Sequence, residues 1–235
     1  MNEAIEKRIS HRCFSKEPVR ASDVLQIQKW TVEVNEESGL DIEYLVDGSE
    51  AFNGIKKSYG MFSNVRSMLV MKGCSDDETL DVKIGYYGED LVLKMTQLNL
   101  GTCWVGGTYD SSSFSVPDGE ALVCVIVFGN IRKTIKDVLI RAVIRSKNRK
   151  SIEERTVADA KLPEEVINGM EAVRLAPSAV NRQAPTLHYT HGQISMDVDA
   201  SVKFNLVDLG IAMRHFEIGA GAGNFELKNG GLWTK

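Results

Sequence analysis

Apolar and polar positions alternate along this chain in two rhythms, one helical and one of strand period. Residues 2–10 show a short helical pattern that stops near Pro18. A second helix is expected from about Ser22 to Trp30, with Ser22 as N-cap and Asp23 behind it. Ile42–Val46 and Met68–Met71 are short strand-like runs bounded by glycine. From Gly85 to Leu100 the spacing predicts a helix, with Leu91, Met95 and Leu98 in one apolar stripe, Val92 beside it and Gly101 as its C-cap. Ala121–Phe128 is an unbroken apolar run, as expected of a strand buried on both faces.

The cycle then resumes. Pro163–Arg174 reads as a helix with proline near its first turn, and Leu187–Tyr189 with Ile194–Val198 as a strand pair around Gly192. Asn205–Ile218 is helical through Leu206, Leu209, Met213 and Phe216. A glycine-rich turn, Gly219–Gly223, leads to a last strand, Phe225–Leu227. The order helix, loop, strands, helix, glycine turn, strand thus occurs twice. Asp23–Asp47 corresponds in pattern to Glu165–Val198, and Gly85–Gly107 to Lys203–Leu227.

Composition narrows the class. The 235 residues are 43% hydrophobic and 26% charged, enough to bury a substantial core. Net charge is −4, so over the whole molecule nothing favours nucleic acid or an anionic membrane surface. The longest apolar run is far shorter than the roughly 20 residues that cross a bilayer. Cys13, Cys74, Cys103 and Cys124 form no CxxC pair, and no secretory leader pattern opens the chain; both point to a cytoplasmic protein with reduced thiols.

Three segments carry candidate chemistry. In Arg8-Ile-Ser-His-Arg-Cys-Phe14, the guanidinium groups of Arg8 and Arg12 and the hydroxyl of Ser10 can converge on a phosphate if the helix gives way to extended chain. From spacing alone, a solvated helix end reads as well. The loop Leu175–Pro185 offers Ser178, Asn181 and Gln183 between two prolines, either as hydrogen-bonding groups for a polyol or heteroaromatic edge or as an ordinary helix-to-strand turn. In Gly101–Gly107, a strand ending in two glycines can bring bare backbone N–H groups to a flat ligand, or simply turn.

Together these segments resemble the FMN-dependent nitroreductase family. Residues 8–14 resemble its RRSxRxF signature, residues 98–107 its LGLGTCWxGG segment, and residues 176–183 its APSxxNxQPW loop; Lys147–Glu154 is similar to the basic stretch after its central strand. In ordinary members the loop follows soon after the RRSxR motif, and each flavin is shared across a homodimer. Here Trp30–Glu37 stands where that loop belongs, the good loop lies late in the chain, and the second half has no RxSxR. The resemblance is therefore to the fused, pseudodimeric members.

It implies an α+β fold with a central mixed sheet flanked by helices, in two diverged halves: residues 1–155 with the phosphate and N5-side motifs, and residues 156–235, shortened, with the loop. It also implies one FMN per chain. Arg8, Ser10, Lys147 and Arg149 would hold the phosphate, and Arg12 would lie near the ribityl chain and the N1/O2 edge. The backbone at Val105, Gly106 and Gly107 would approach N5 and O4, with Pro177, Ser178, Asn181 and Gln183 contributing from the loop side. Ala184 departs from the family's proline–tryptophan continuation. The implied activity is ping-pong electron transfer from NADH or NADPH to a nitroaromatic, quinone or similar small acceptor, with no dedicated catalytic side chain and no metal. Dehalogenation-type flavin chemistry, or flavin binding without turnover, are the alternatives.

Other features carry less. Gly219–Gly223 follows a helix instead of opening one, so it is no dinucleotide fingerprint. His188 and His191 lie three apart on an expected strand and would point to opposite faces. His215 reads as packed or exposed.

The fusion reading makes a stoichiometric prediction. Light scattering with flavin counted by absorbance should find a flavin-loaded monomer of 26.0 kDa carrying one FMN. Flavin held only by dimers and lost on dilution would show that a second chain supplies the loop.

Overall fold

The computed structural model describes residues 3–53, 60–144 and 147–235. Asn2, at the start of the first expected helix, lies outside them. The chain folds into two compact units. One comprises residues 8–80 and 91–144; the other comprises residues 1–7, 81–90 and 145–235.

The first unit is built on a four-stranded antiparallel sheet in the order β1 (Glu43–Leu45), β2 (Ser67–Cys74), β4 (Glu120–Asn130), β3 (Leu100–Val105). Residues 124–129 of β4 are all buried, as the unbroken apolar run requires. On one face Met68, Val70, Cys103, Val105, Val125 and Val127 pack with Phe14. Helix α2 (Ala21–Ser38) runs eight residues past the expected end at Trp30. Ile27 and Val34 bury one of its faces, Thr31 and Ser38 return their hydroxyls to the carbonyls of Ile27 and Val34, and Gly39 stops it in the left-handed conformation at φ 72°. Its N-cap is Arg20 and not Ser22, and Arg20 also donates to Asp23.

Helix α1 is a single short stretch, Glu3–Lys7, after which the chain runs extended. Helix α3 (Leu80–Gln97) starts five residues before Gly85 and ends at Gln97, where Asn99 takes the left-handed turn at φ 61°. Gly101 is thus not a cap but part of β3, and a Cβ on it would stand 2.9 Å from the His11 Cβ. Helix α4 (Ile135–Val143) was not anticipated; Thr134 caps it by accepting the Asp137 N–H.

The second unit has a five-stranded mixed sheet ordered β5 (Thr156–Ala158), β6 (Thr186–Thr190), β7 (Gln193–Asp197), β9 (Gly231–Thr234), β8 (Asn224–Phe225). β5 and β6 are parallel and the rest antiparallel. The expected hairpin around Gly192 is present in the register Leu187–Met196. Helices α5 (Glu164–Leu175) and α6 (Asn205–Ala220) bury Val166, Met170, Leu209, Met213 and Phe216 in a core with Phe225 and Trp233. Both of those rings meet Phe216 edge-on.

Residues 81–90 of α3 cross α6 backbone to backbone. A Cβ on Gly85 would lie 2.0 Å from the Val207 carbonyl oxygen, and one on Gly210 would lie 2.0 Å from that of Val82. The close approach lets three polar pairs form between the helices: Tyr86 donates to Glu217, Arg214 to Asp90, and His215 meets Glu89.

Gly210→Ala should therefore cost ~3 kcal/mol or more, because neither helix backbone can yield. Gly107→Ala, whose Cβ would meet nothing within 4 Å, should change stability by less than about 0.5 kcal/mol. Chemical denaturation of the two variants checks this; equal losses would refute the crossing.

Candidate active site

The segment after α1 lies beside β3. Ser10 bridges Thr102 in parallel, the His11 N–H donates to the Thr102 carbonyl at 2.8 Å, and Ser63 ties both sides of Cys13 by bonding Arg12 and Phe14. Asp137, buried on α4, accepts the Arg12 N–H at 3.0 Å and pairs with Arg141, which also reaches the Ser10 carbonyl at 3.4 Å. The Asp137 Oδ2 lies 3.5 Å from His11 Nδ1. Backbone pairing and one buried carboxylate thus fix the orientation of the whole motif.

The charges of Arg8 and Arg12 and the Ser10 hydroxyl act on the buried Cys103 thiol of β3. Burial pushes that thiol up, opposed by the charge of Arg12, a hydrogen bond from Ser10 and the charge of Arg8. Arg8 is only 7% exposed, which removes the solvated helix end as a reading. Arg12 Nη1 is buried without a hydrogen-bond partner among the described residues. Burial pushes the His11 imidazole down from its ordinary value, against the pull of Asp137 and with help from Arg141 and Arg8. Val105 ends β3 buried, and beyond Gly106 the space beside Gly107 is open.

The loop belongs to the other unit. Ala179–Asn181 makes one 3-10 turn, with Val180, Asn181 and Gln183 at φ 48°, 58° and 54°. That region is unfavourable for a β-branched valine. Several bonds hold it there. The Ser178 hydroxyl accepts the Gln183 N–H at 2.9 Å, and the buried Gln183 amide binds the Asn148 carbonyl and the Lys150 N–H, both at 3.0 Å. Arg149 donates to the Ala176 carbonyl at 2.9 Å and to Asn181 Oδ1 at 3.3 Å. The structure therefore joins Arg149 to the loop at Ala176 and Asn181, while Lys147 is exposed. Asn181 and Gln183 spend their side chains on holding the loop to residues 148–150. Pro177 sits between the α5 end and that turn.

Beneath the loop, Asp208 accepts the Ala179 N–H with both oxygens, at 3.0 and 3.1 Å. Burial raises its carboxyl to about 7, against the Ala179 bond and the charges of Arg182 and Arg155. Arg155, itself buried, donates to the Pro185 and Val173 carbonyls, and burial lowers its guanidinium to about 10. Asp137, Arg141, Asp208 and Arg155 escaped the sequence reading. Only Thr134-x-x-Asp137 carried a signal, that of an N-cap box.

His188 lies on β6, 3.1 Å from Asp197, but His191 sits in the turn at φ 52° and not on the strand. His215 is fully buried between Ala172 and Glu89. Among the described residues no group of three or more His, Cys, Asp or Glu could hold a metal.

Residues 1–220 match the family model described as Putative TM nitroreductase. The chain belongs to that nitroreductase family. It is similar in structure to a putative nitroreductase from Thermotoga maritima MSB8, at TM-score 0.63 and 24% identity, over 99% of this chain and 92% of that one. A nitroreductase family protein from Clostridium difficile 630 aligns at TM-score 0.50 and 16% identity, over 69% of this chain and 99% of its own. No curated protein matches the sequence. At these identities the superpositions establish the nitroreductase fold, in α+β form.

Asp208 makes stability depend on pH. Its folded value of about 7 lies above the ordinary 3.8, so between those values the folded state holds the extra proton. Stability should fall as pH rises through that window, by on the order of 2–4 kcal/mol, and level off above it. Asp208→Asn should flatten the slope. Thermal midpoints of both proteins at pH 5 and pH 8 decide; parallel changes would mean Asp208 is not the group.

Proposed function

We propose that this nitroreductase is an FMN-dependent oxidoreductase that takes electrons from NADH or NADPH and reduces a small acceptor such as a nitroaromatic or quinone. The observation that supports this most is that Arg12 Nη1 is buried without a hydrogen-bond partner among the described residues, in the same short segment as Ser10 and the buried Arg8. A buried, unpaired guanidinium nitrogen is costly, and an anionic ligand would relieve it. The residues present thus fit a phosphate-bearing flavin.

Arg8 and Ser10 would bind the phosphate, with Lys147 and Arg149 as further cationic groups. Arg12 would keep positive charge at the ribityl and N1/O2 edge. Val105, Gly106 and Gly107 would present backbone to the ring, and the open space at Gly107 suits a flat ligand. Pro177 and Ser178 would face the ligand from the loop, while Asn181 and Gln183 act by holding the loop in its strained turn. Bound FMN would supply the hydride chemistry; the protein's part is to position and tune.

Flavin released by heat should chromatograph as FMN, and NAD(P)H should bleach the visible absorbance of the bound flavin as it is reduced. FAD, or no flavin after reconstitution, would overturn the reading; FMN that resists bleaching would leave a binding protein without turnover. Arg12→Ala should weaken FMN binding by about one to two decades, the worth of a charge-assisted bond. The flavin-free variant should be no less stable than the parent, because it loses no partner for Nη1. Unchanged flavin affinity, read by fluorescence titration, would remove Arg12 from the site.

A further inference from the structure

Helix α4 is built inside out. Its inner face carries the buried Asp137 and the half-buried Lys136 and Arg141, which bond to Arg12, Ser63 and Ser10. Its outer face carries Ile135, Val138, Leu139 and Val143, exposed by 57–82%. These are positions i, i+3, i+4 and i+8, a single aliphatic stripe that an ordinary amphipathic helix would turn to its core. Ile131, just before the helix, is exposed as well.

Charge says what could cover the stripe. The exposed charged residues of segment 131–143 are Arg132 and Lys133, with no exposed acid among them. In sequence, residues 131–150 hold eight basic residues against one acid, in a chain whose net charge is −4. Two copies apposed helix to helix through this face would find no exposed acid in each other's segment 131–143. The stripe also lacks the aromatic anchors that usually dominate protein–protein contacts. Aliphatic side chains on a convex helix, edged by cations and held from behind, match the surface of an anionic bilayer, where apolar insertion and charge attraction add.

We propose that α4 docks this protein peripherally on anionic lipid surfaces, with the Ile135–Val143 stripe entering the interface and Arg132 and Lys133 facing the headgroups. The docking is independent of the flavin reading, since the residues on the outer face differ from those that hold the motif.

Flotation with vesicles tests it. The full chain should float with phosphatidylcholine–phosphatidylglycerol vesicles at low salt, be released by high salt, and stay behind with phosphatidylcholine alone. Val138→Ser combined with Leu139→Ser should weaken binding about tenfold or more without loss of fold by circular dichroism, because both side chains are exposed. Arg132→Glu with Lys133→Glu should do the same through charge, which keeps the test decisive if the first variant misfolds. No flotation, or equal flotation with both vesicle types, would overturn the proposal. So would a dimer by light scattering that the serine variant splits, since the stripe would then be a self-contact.

Discussion

Two helices can meet backbone to backbone only where neither carries a side chain, and α3 and α6 do so at Gly85 and Gly210. The crossing sets the register of everything around it in that unit. With the backbones in contact, Tyr86, Glu89 and Asp90 fall opposite Glu217, His215 and Arg214. Burial of that polar network is tolerable only because each member finds its partner there. On the far side of α6 the same economy recurs: a Cβ on Gly219 would lie 2.5 Å from the Asn168 carbonyl oxygen, so α5 and α6 also pack closely. Glu217 then accepts the Phe225 N–H and fixes where β8 begins.

In the other unit the corresponding role belongs to a carboxylate. Asp137 receives a backbone N–H from the Arg8–Phe14 segment and a guanidinium from its own helix, so α4 and the motif share one anchor. The motif runs beside β3, bridged to it at Ser10, and an extended chain sends alternate side chains to opposite sides. Arg8, Ser10 and Arg12 share that parity. The spacing that suggested a phosphate ligand set is the spacing of an extended chain.

Much of the architecture was legible because burial imposes period. The Ala121–Phe128 run, the Asn205–Ile218 stripe and the hairpin at Gly192 each announced themselves. Ends were less legible. Helix α2 passes through Thr31 and Ser38 because their hydroxyls bond backward within the helix, a use of side chains that sequence spacing cannot distinguish from a loop. Gly101 looked like a cap because glycine often caps; its real reason is the His11 side chain packed against it. At the candidate site the motif residues were visible, but Asp137 and Asp208, which position the two motif segments, were not. Their partners lie 125 and 29 residues away, beyond any local pattern.

The dyad at His215 and Glu89 carries one more consequence. The Ala172 carbonyl can only accept, so Nδ1 must bring a hydrogen to it, and the 2.9 Å contact between Nε2 and Glu89 then has to share one proton. Whichever atom holds it, the pair is electrically neutral as a unit and charged or unsatisfied if either half is lost. Descendants of this sequence can therefore leave that helix crossing only by a joint step. The two positions should drift through evolution as a couple, replaced together by apolar residues or kept together, even though 126 residues separate them in the chain.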